Sequence, residues 1–399
     1  MVAREETGVR WEMATIQRIS MGLRVLGVVL FFAGAVRGLP HGAAGGARPA
    51  PTQAGAEAPQ VVNGKIETRA VSGGALAEAL RGIEAQADKA EWVGYSVAEI
   101  TGDRTVCCGN FNDGYGRCGT CRLEKENGIT SGTSQKDEKD GTVQLEGSRQ
   151  LVVLFRLEGK QVLRIREASL NCTLDAGGLP FLWLTGVQPA ESVALLADFV
   201  HKATFQEHGE HEPGQGALSA IALHADASAD RAFESFVGAD QPEQLRKHAS
   251  FWLGAARGKA GFPILQKMAR SDPSAEVRAQ VAFALSVSHE PEALNEMIRL
   301  AKEDQSSHVR GQALFWLAQK AGQKAMGAIT GAIENDPDTD VKKKAVFALS
   351  QMPKDEGVPK LIEVAKTNHN REVRKQAMFW LGQSNDPRAL EFFEQVLTR

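Results

Sequence analysis

The chain has 399 residues, 43% hydrophobic and 24% charged, with a formal net charge of −3. That length accommodates a globular module plus a repeat array, or two domains. The near-neutral balance excludes broad nucleic-acid binding, which needs a concentrated basic surface to release counterions.

In chain order, the first feature is a short apolar run at 25–32, behind Arg24 and ahead of Ala33, Gly34 and Ala35. A basic flank, a short apolar core and an A-x-A end are the anatomy of a secretory signal peptide. We expect residues 1–35 to be that signal, with translation starting at Met21 or Met13. The run is shorter than the roughly 20 residues of a spanning helix. The protein is therefore expected in the periplasm or outside the cell, with no membrane span after cleavage. Retention of the run as a signal anchor is the alternative. Residues 36–60, rich in Ala, Gly and Pro, cannot bury enough surface to offset ordering entropy and read as a linker.

Residues 61–187 read as a small α+β domain. Helical spacing covers 75–87. Strand formers dominate 92–97, and 151–157 with 161–166 predict a hairpin, Gly159 supplying the turn. Another strand is expected at 180–184. All five cysteines lie here. Cys107, Cys108, Cys118 and Cys121 share a Gly-rich loop, and Cys118 and Cys121 form a C-x2-C. Outside the cytosol such a cluster favours disulfides; a four-thiolate zinc site is the competing reading. The odd Cys172 is expected free and buried. No cofactor or metal belongs to the preferred reading. Residues 130–140 hold no apolar side chain and read as a surface loop.

Residues 188–214 read as a connecting helix, from 189 to 202, and a hinge. His201, His208 and His211 gather there with Glu207, Glu210 and Glu212, but at no spacing that one helix face would present to a metal.

From 215 to 399 the sequence repeats every 32 residues. Leu245-Arg246, Val277-Arg278, Val309-Arg310, Val341-Lys342 and Val373-Arg374 mark the period. Phe251, Phe283, Phe315, Phe347 and Phe379 follow it, as do Leu253, Leu285, Leu317, Leu349 and Leu381. Asp240, Asp272, Asp304, Asp336 and Asn368 precede each cation by six. Each unit reads as a helix pair; in the second, helix A covers 262–269 and helix B covers 275–287. Val277, Val281, Ala284 and Leu285 make an apolar stripe on B, with Phe283 off it. A helix apolar on several sides must be buried on several sides, so B is the inner helix of each pair. A helix near 216–224 is expected to open the array and a lone helix at 387–397 to close it.

This pattern, as in Asp304, Val309-Arg310 and Ala313, resembles the HEAT repeat, including the bilin-lyase type. The resemblance implies a mostly α protein: a C-terminal α-solenoid, a right-handed superhelix of helix pairs, behind the small α+β domain. It also implies that the Asp and cation of adjacent repeats form a ladder linking helix pairs, carried onto Asp240/Arg246, Asp272/Arg278, Asp304/Arg310 and Asp336/Lys342. The fifth unit, Asn368/Arg374, lacks one charge.

A further column alternates Trp252, Ala284, Trp316, Ala348, Trp380. Large beside small is how facing layers fill space; an exposed aromatic ladder is the alternative. The exposed columns of helix B, taken as the binding face, are Lys247, His248, Gln280, Gln312, Lys343, Lys344, Lys375 and Gln376. They are polar, partly basic, and suited to an acidic or amide-rich partner. No nucleophile elbow, phosphate loop or zinc-helix motif occurs. The sequence thus predicts an exported, non-enzymatic scaffold for a protein or peptide partner in the cell envelope. A HEAT-like lyase-type enzyme and a thiol- or metal-dependent envelope sensor are the alternatives.

Overall fold

The computed structural model describes residues 57–100, 104–107, 110–113, 120–125, 149–205 and 212–398. The expected signal peptide and nearly all of the linker, the 130–140 loop, Cys108, Cys118, His208 and His211 lie outside the described residues, as does the Cys107 side chain.

The N-terminal module is built on a five-stranded sheet. In spatial order its strands are β2 (Ile66–Ala70), β10 (Phe181–Thr185), β3 (Glu91–Ala98), β7 (Gln150–Glu158) and β8 (Gln161–Ser169). β2 and β3 flank β10 in parallel, and β3, β7 and β8 run antiparallel. The hairpin turn uses Gly159 and Lys160, both at positive φ (59° and 60°). That pair of left-handed residues matches the twist of the flanking strands. β3 and β7 are buried on both faces, which is why their sequences read as continuous apolar runs. β2 gave no such signal, because all five of its residues are exposed at the sheet edge.

One face of the sheet, with Val93, Tyr95, Val153 and Phe155, packs on helices. The other, with Trp92, Val152, Leu154 and Trp183, is covered by a small parallel sheet. That sheet has the order β1 (Val61–Val62), β9 (Thr173–Asp175), β6 (Thr120–Arg122), and a further pair joins β4 (Arg104–Cys107) to β5 (Asn110–Asp113). Cys121 and Cys172 lie buried in this second core and are both disulfide-bonded. Cys172 is therefore not the free thiol that an odd count suggested. Pairing by count fails when the fold brings together distant segments, here β6, which carries Cys121, and β9, which follows Cys172.

Helix α1 (Leu76–Glu84) buries Leu76, Leu80 and Ile83. Helix α2 (Pro189–Lys202) and α3 (Pro213–Leu223) lead into the array. α3 is apolar all round and buries eight of its residues, because it lies between the array and the outer edge of β8. The approach is close: a Cβ on Gly216 would sit 2.2 Å from the Ile165 carbonyl oxygen. The amide of Ile100 donates to Leu223 O at 2.7 Å and that of Ala225 to Ala98 O at 3.0 Å. Module and array thus share one hydrophobic core.

A buried polar chain crosses this junction. Tyr95 Oη lies 2.7 Å from Ser192 Oγ, which lies 2.8 Å from His224 Nε2, while His224 Nδ1 is 2.7 Å from Ala220 O. A carbonyl only accepts, so Nδ1 carries the proton and Nε2 accepts from Ser192, which accepts from Tyr95. Every member is satisfied by a neutral imidazole.

The array follows as helix pairs A and B: α4 (Ser228–Phe236) with α5 (Glu243–Ala255), α6 (Gly258–Ser271) with α7 (Ala275–Val287), α8 (Ala293–Glu303) with α9 (Ser307–Ala321), α10 (Met326–Asn335) with α11 (Thr339–Gln351), and α12 (Lys354–Thr367) with α13 (Arg371–Gln383). Helix α14 (Pro387–Leu397) stands alone at the end. Successive B helices pack closely on one another, while successive A helices touch less; the B face is thus on the inside of the curve.

The charged ladder links adjacent repeats, as the resemblance implies, and its rungs cross from one unit to the next where the sequence pairs were written within units. Each Arg reaches the Asp of the following unit. Arg246 Nε donates to Asp272 at 2.9 Å, Arg278 to Asp304 at 2.8 Å and Arg310 to Asp336 at 2.8 Å, each with a second bond from Nη2. The same Asp accepts from the amide two residues on, closing the A–B turn. In the second unit Ser274 is the N-cap, accepting from Val277 N. This register puts Lys342 and Asn368 on one rung, and they do not meet. Lys342 Nζ turns to Glu334 O at 2.7 Å, and Asn368 Nδ2 donates to the Glu334 carboxylate at 3.3 Å. A lysine presents a point charge where arginine presents a fork, and the amide offers no second charge. Asp240 accepts from the neighbouring Gln241, and the Arg374 guanidinium donates to the carbonyls of Asn368 and His369.

Candidate partner-binding face

The B helices carry one stripe that faces away from the A helices, with a phenylalanine at its centre. From Trp252 to Phe379 the aromatic rings touch without a break. Phe251 lies 5.1 Å from Trp252 and stacks on Phe283 at 5.8 Å; Phe283 meets Trp316 at 4.5 Å. Trp316 meets Phe315 at 4.9 Å, which stacks on Phe347 at 5.8 Å; Phe347 meets Trp380 at 4.8 Å, and Trp380 meets Phe379 at 5.0 Å. The seam repeats every two units because the tryptophan alternates with alanine. Ala284 and Ala348 are fully buried, while the three tryptophans are half-buried against the core. Large-beside-small packing and an aromatic ladder are therefore the same feature. The Phe column, which seemed off the apolar stripe, forms the seam itself, ending at Phe379, 54% exposed. The signal for it was the Phe-Trp pair recurring at twice the repeat length.

One turn before each Phe stand His248, Gln280, Gln312, Lys344 and Gln376, all half-buried except the exposed Lys344. Gln280, Gln312 and Gln376 make no hydrogen bond with a described residue. The Lys344 stem lies across Gly311, whose missing side chain leaves the room. His248 packs beside Phe205 at 5.4 Å, and burial, helped by the charge of Lys247, lowers its pKa. Lys247 is half-buried; Lys343 and Lys375 are paired within their own helices, to Asp340 at 2.9 Å and Glu372 at 3.0 Å. Those lysines are partly neutralised, so the face is less basic than its sequence suggested. One turn after the Phe column, Gln319, Gln351 and Gln383 give a second amide row that the sequence reading passed over. Hence an aromatic seam runs between a row of three amides, a histidine and a lysine and, in the last three units, a row of amides, each amide able to donate and accept.

Residues 233–318 and 328–399 match the family model described as HEAT repeats. The array is a HEAT-repeat solenoid. Among solved structures it is similar to the complex of CpcE and CpcF of phycocyanin lyase from Nostoc sp., at 21% identity over 39% of this chain and 99% of that one, TM-score 0.31. It is also similar to human deoxyhypusine hydroxylase in complex with glycerol, at 15% identity over 52% and 90%, TM-score 0.25. A third is Kap121p bound to Pho4p, at 13% identity over 53% and 26%, TM-score 0.32. No curated relative matches the sequence. Among the described residues no helix is long and apolar enough to cross a membrane, and no group of His, Cys, Asp or Glu gathers in a metal-binding arrangement.

Proposed function

We propose that this protein is an exported scaffold whose HEAT solenoid holds a polypeptide partner along the helix B face. The observation that carries the reading is the unbroken aromatic seam flanked by amides. Aromatic faces take up apolar side chains at low entropic cost, and the amides match the alternating donors and acceptors of a peptide backbone. Export is supported by the signal-like sequence at 24–35 and by the disulfide-bonded Cys121 and Cys172, since disulfides persist outside the cytosol. The thiol-sensor alternative loses ground on burial: Cys121 and Cys172 are 2% and 0% exposed, where a sensor thiol needs access.

The test is site-specific photocrosslinking in the native envelope, from positions 312 and 376 on the B face and from Lys267 on helix A. The expected result is one partner captured from the B face and lost in a Trp316→Ala, Phe347→Ala variant. Equal capture from Lys267 sinks the binding-face reading, and recovery of the protein in the cytosolic fraction sinks export.

A further inference from the structure

The two-unit rhythm of the seam extends to the ends of the helices. Each tryptophan-bearing B helix faces the C-terminal carbonyls of the B helix, or opening helix, before it. After Trp252, Arg257, one residue beyond the position equivalent to Lys320 and also paired with Asp230, donates from Nη1 to the carbonyls of Ala222 and His224 at the end of α3. After Trp316, Lys320 Nζ donates to Leu285 O at 3.2 Å, to Ser286 O at 2.8 Å and to Ser288 O, at the end of α7. A cation there meets both orphan carbonyls and the negative end of the helix dipole. After Trp380 the position of Lys320 is held by Ser384, whose hydroxyl turns to its own helix at Leu381 O.

Where the third cation would reach, there is a cavity of about 190 Å³. Ser350, Gln351, Met352, Trp380 and Ser384 are among its lining residues. Pro353 follows α11 and has no N–H to offer the last carbonyls. Trp380 Nε1 is buried without a hydrogen-bond partner among the described residues. Lys354, which also lines the cavity, aims its own ammonium at the Asn385 carbonyl, 3.5 Å away.

We infer that this cavity is a receptor for a lysine side chain of a bound polypeptide, supplying in trans the cation that Lys320 supplies in cis. The ammonium answers the carbonyls at the end of α11, and the lysine's own main-chain carbonyl offers an acceptor to the Trp380 indole. The occupant rests on the scaffold reading above; the site itself rests on the internal repeat.

The experiment titrates the full-length protein, ¹⁵N-labelled at tryptophan, with N-acetyl-lysine methylamide and with its norleucine counterpart. The Trp380 indole resonance is assigned with W380F. The expected result is a saturable shift with the lysine probe, at least about tenfold weaker with norleucine, the factor one charge-assisted hydrogen bond provides. S384K should fill the cavity from within and abolish the response; Ser384→Arg serves if S384K does not fold. No response to the lysine probe, an equal response to norleucine, or a wild-type response in S384K overturns the inference. A blocked amino acid involves no partner, so this result and the crosslinking result fail independently.

Discussion

At the scale of residues, the ladder shows how one atom pair decides whether a repeat signature carries energy. The Arg310 and Asp336 side chains are 10% and 5% exposed and bonded by two hydrogen bonds. Removing one partner leaves a buried charge, so Asp336→Ala should destabilise by about 3–5 kcal/mol. Lys342 and Asn368 make no such pair, so Lys342→Ala should cost less than about 1 kcal/mol. Restoring both partners is the sharper measurement. In a urea-denaturation cycle, Lys342→Arg with Asn368→Asp should exceed the sum of the singles by about 1 kcal/mol or more. An additive cycle would show that this rung is excluded by backbone geometry instead. In the sequence the two departures sit in different units and read as unrelated; only the register of the pairing shows that they are one.

Two buried titratable groups at the junction pull stability in opposite directions. Burial lowers the His224 pKa to about 4. Its contribution is full above the unfolded value near 6.5 and is lost as pH falls towards 4, about 3 kcal/mol in all. Burial raises the Glu167 pKa to about 7, against the opposing hydrogen bond from Ser219 and the charge of Arg166. Its contribution is full below about 4.5 and is lost as pH rises through 7. Between pH 4.5 and 6.5 the two slopes oppose, so wild-type stability should change little across that window. Glu167→Gln removes one slope. Denaturant midpoints of that variant should fall steeply from pH 6.5 to 4.5, and a flat profile would argue against the neutral imidazole.

At the scale of elements, the seam separates packing from exposure within one column. Phe315 is 7% exposed and Phe379 is 54% exposed. Phe315→Ala should therefore cost about 3 kcal/mol in denaturation. Phe379→Ala should cost less than about 1 kcal/mol yet reduce partner crosslinking. Equal costs would mean that the seam is core and nothing more. Helix existence was legible, and so were some limits: helices were expected at 275–287, 189–202 and 387–397, and Ala275–Val287, Pro189–Lys202 and Pro387–Leu397 are helical, whereas those expected at 262–269 and near 216–224 start earlier, at Gly258 and Pro213. Apolar period and capping residues are local, so sequence carries them. β1, β2, β6 and β9 were not legible, being short or exposed strands whose pairing comes from distant partners.

At the scale of the whole molecule, the module is more than an appendage to the solenoid. α3 covers the β8 edge, and an uncovered edge strand is a template for aggregation. Gly216→Val would drive a side chain into the Ile165 carbonyl. The expected outcome is a loss of several degrees in Tm for the module's near-ultraviolet signal and the array's helical signal together. Melting of the two signals at separate temperatures would show that the shared core does not couple them.

The sequence by itself determined the repeat, its helix pairs, its inner helix and the columns that line it, because each depends on residues close in the chain and on a period that recurs. Tertiary structure decided that Lys342 and Asn368 share one rung, that the phenylalanines touch, which groups the cations at 257 and 320 hold, and that module and array are welded through α3. Those depend on the rise from one repeat to the next and on contacts between segments far apart, and neither distance is written in the spacing of residues along the chain.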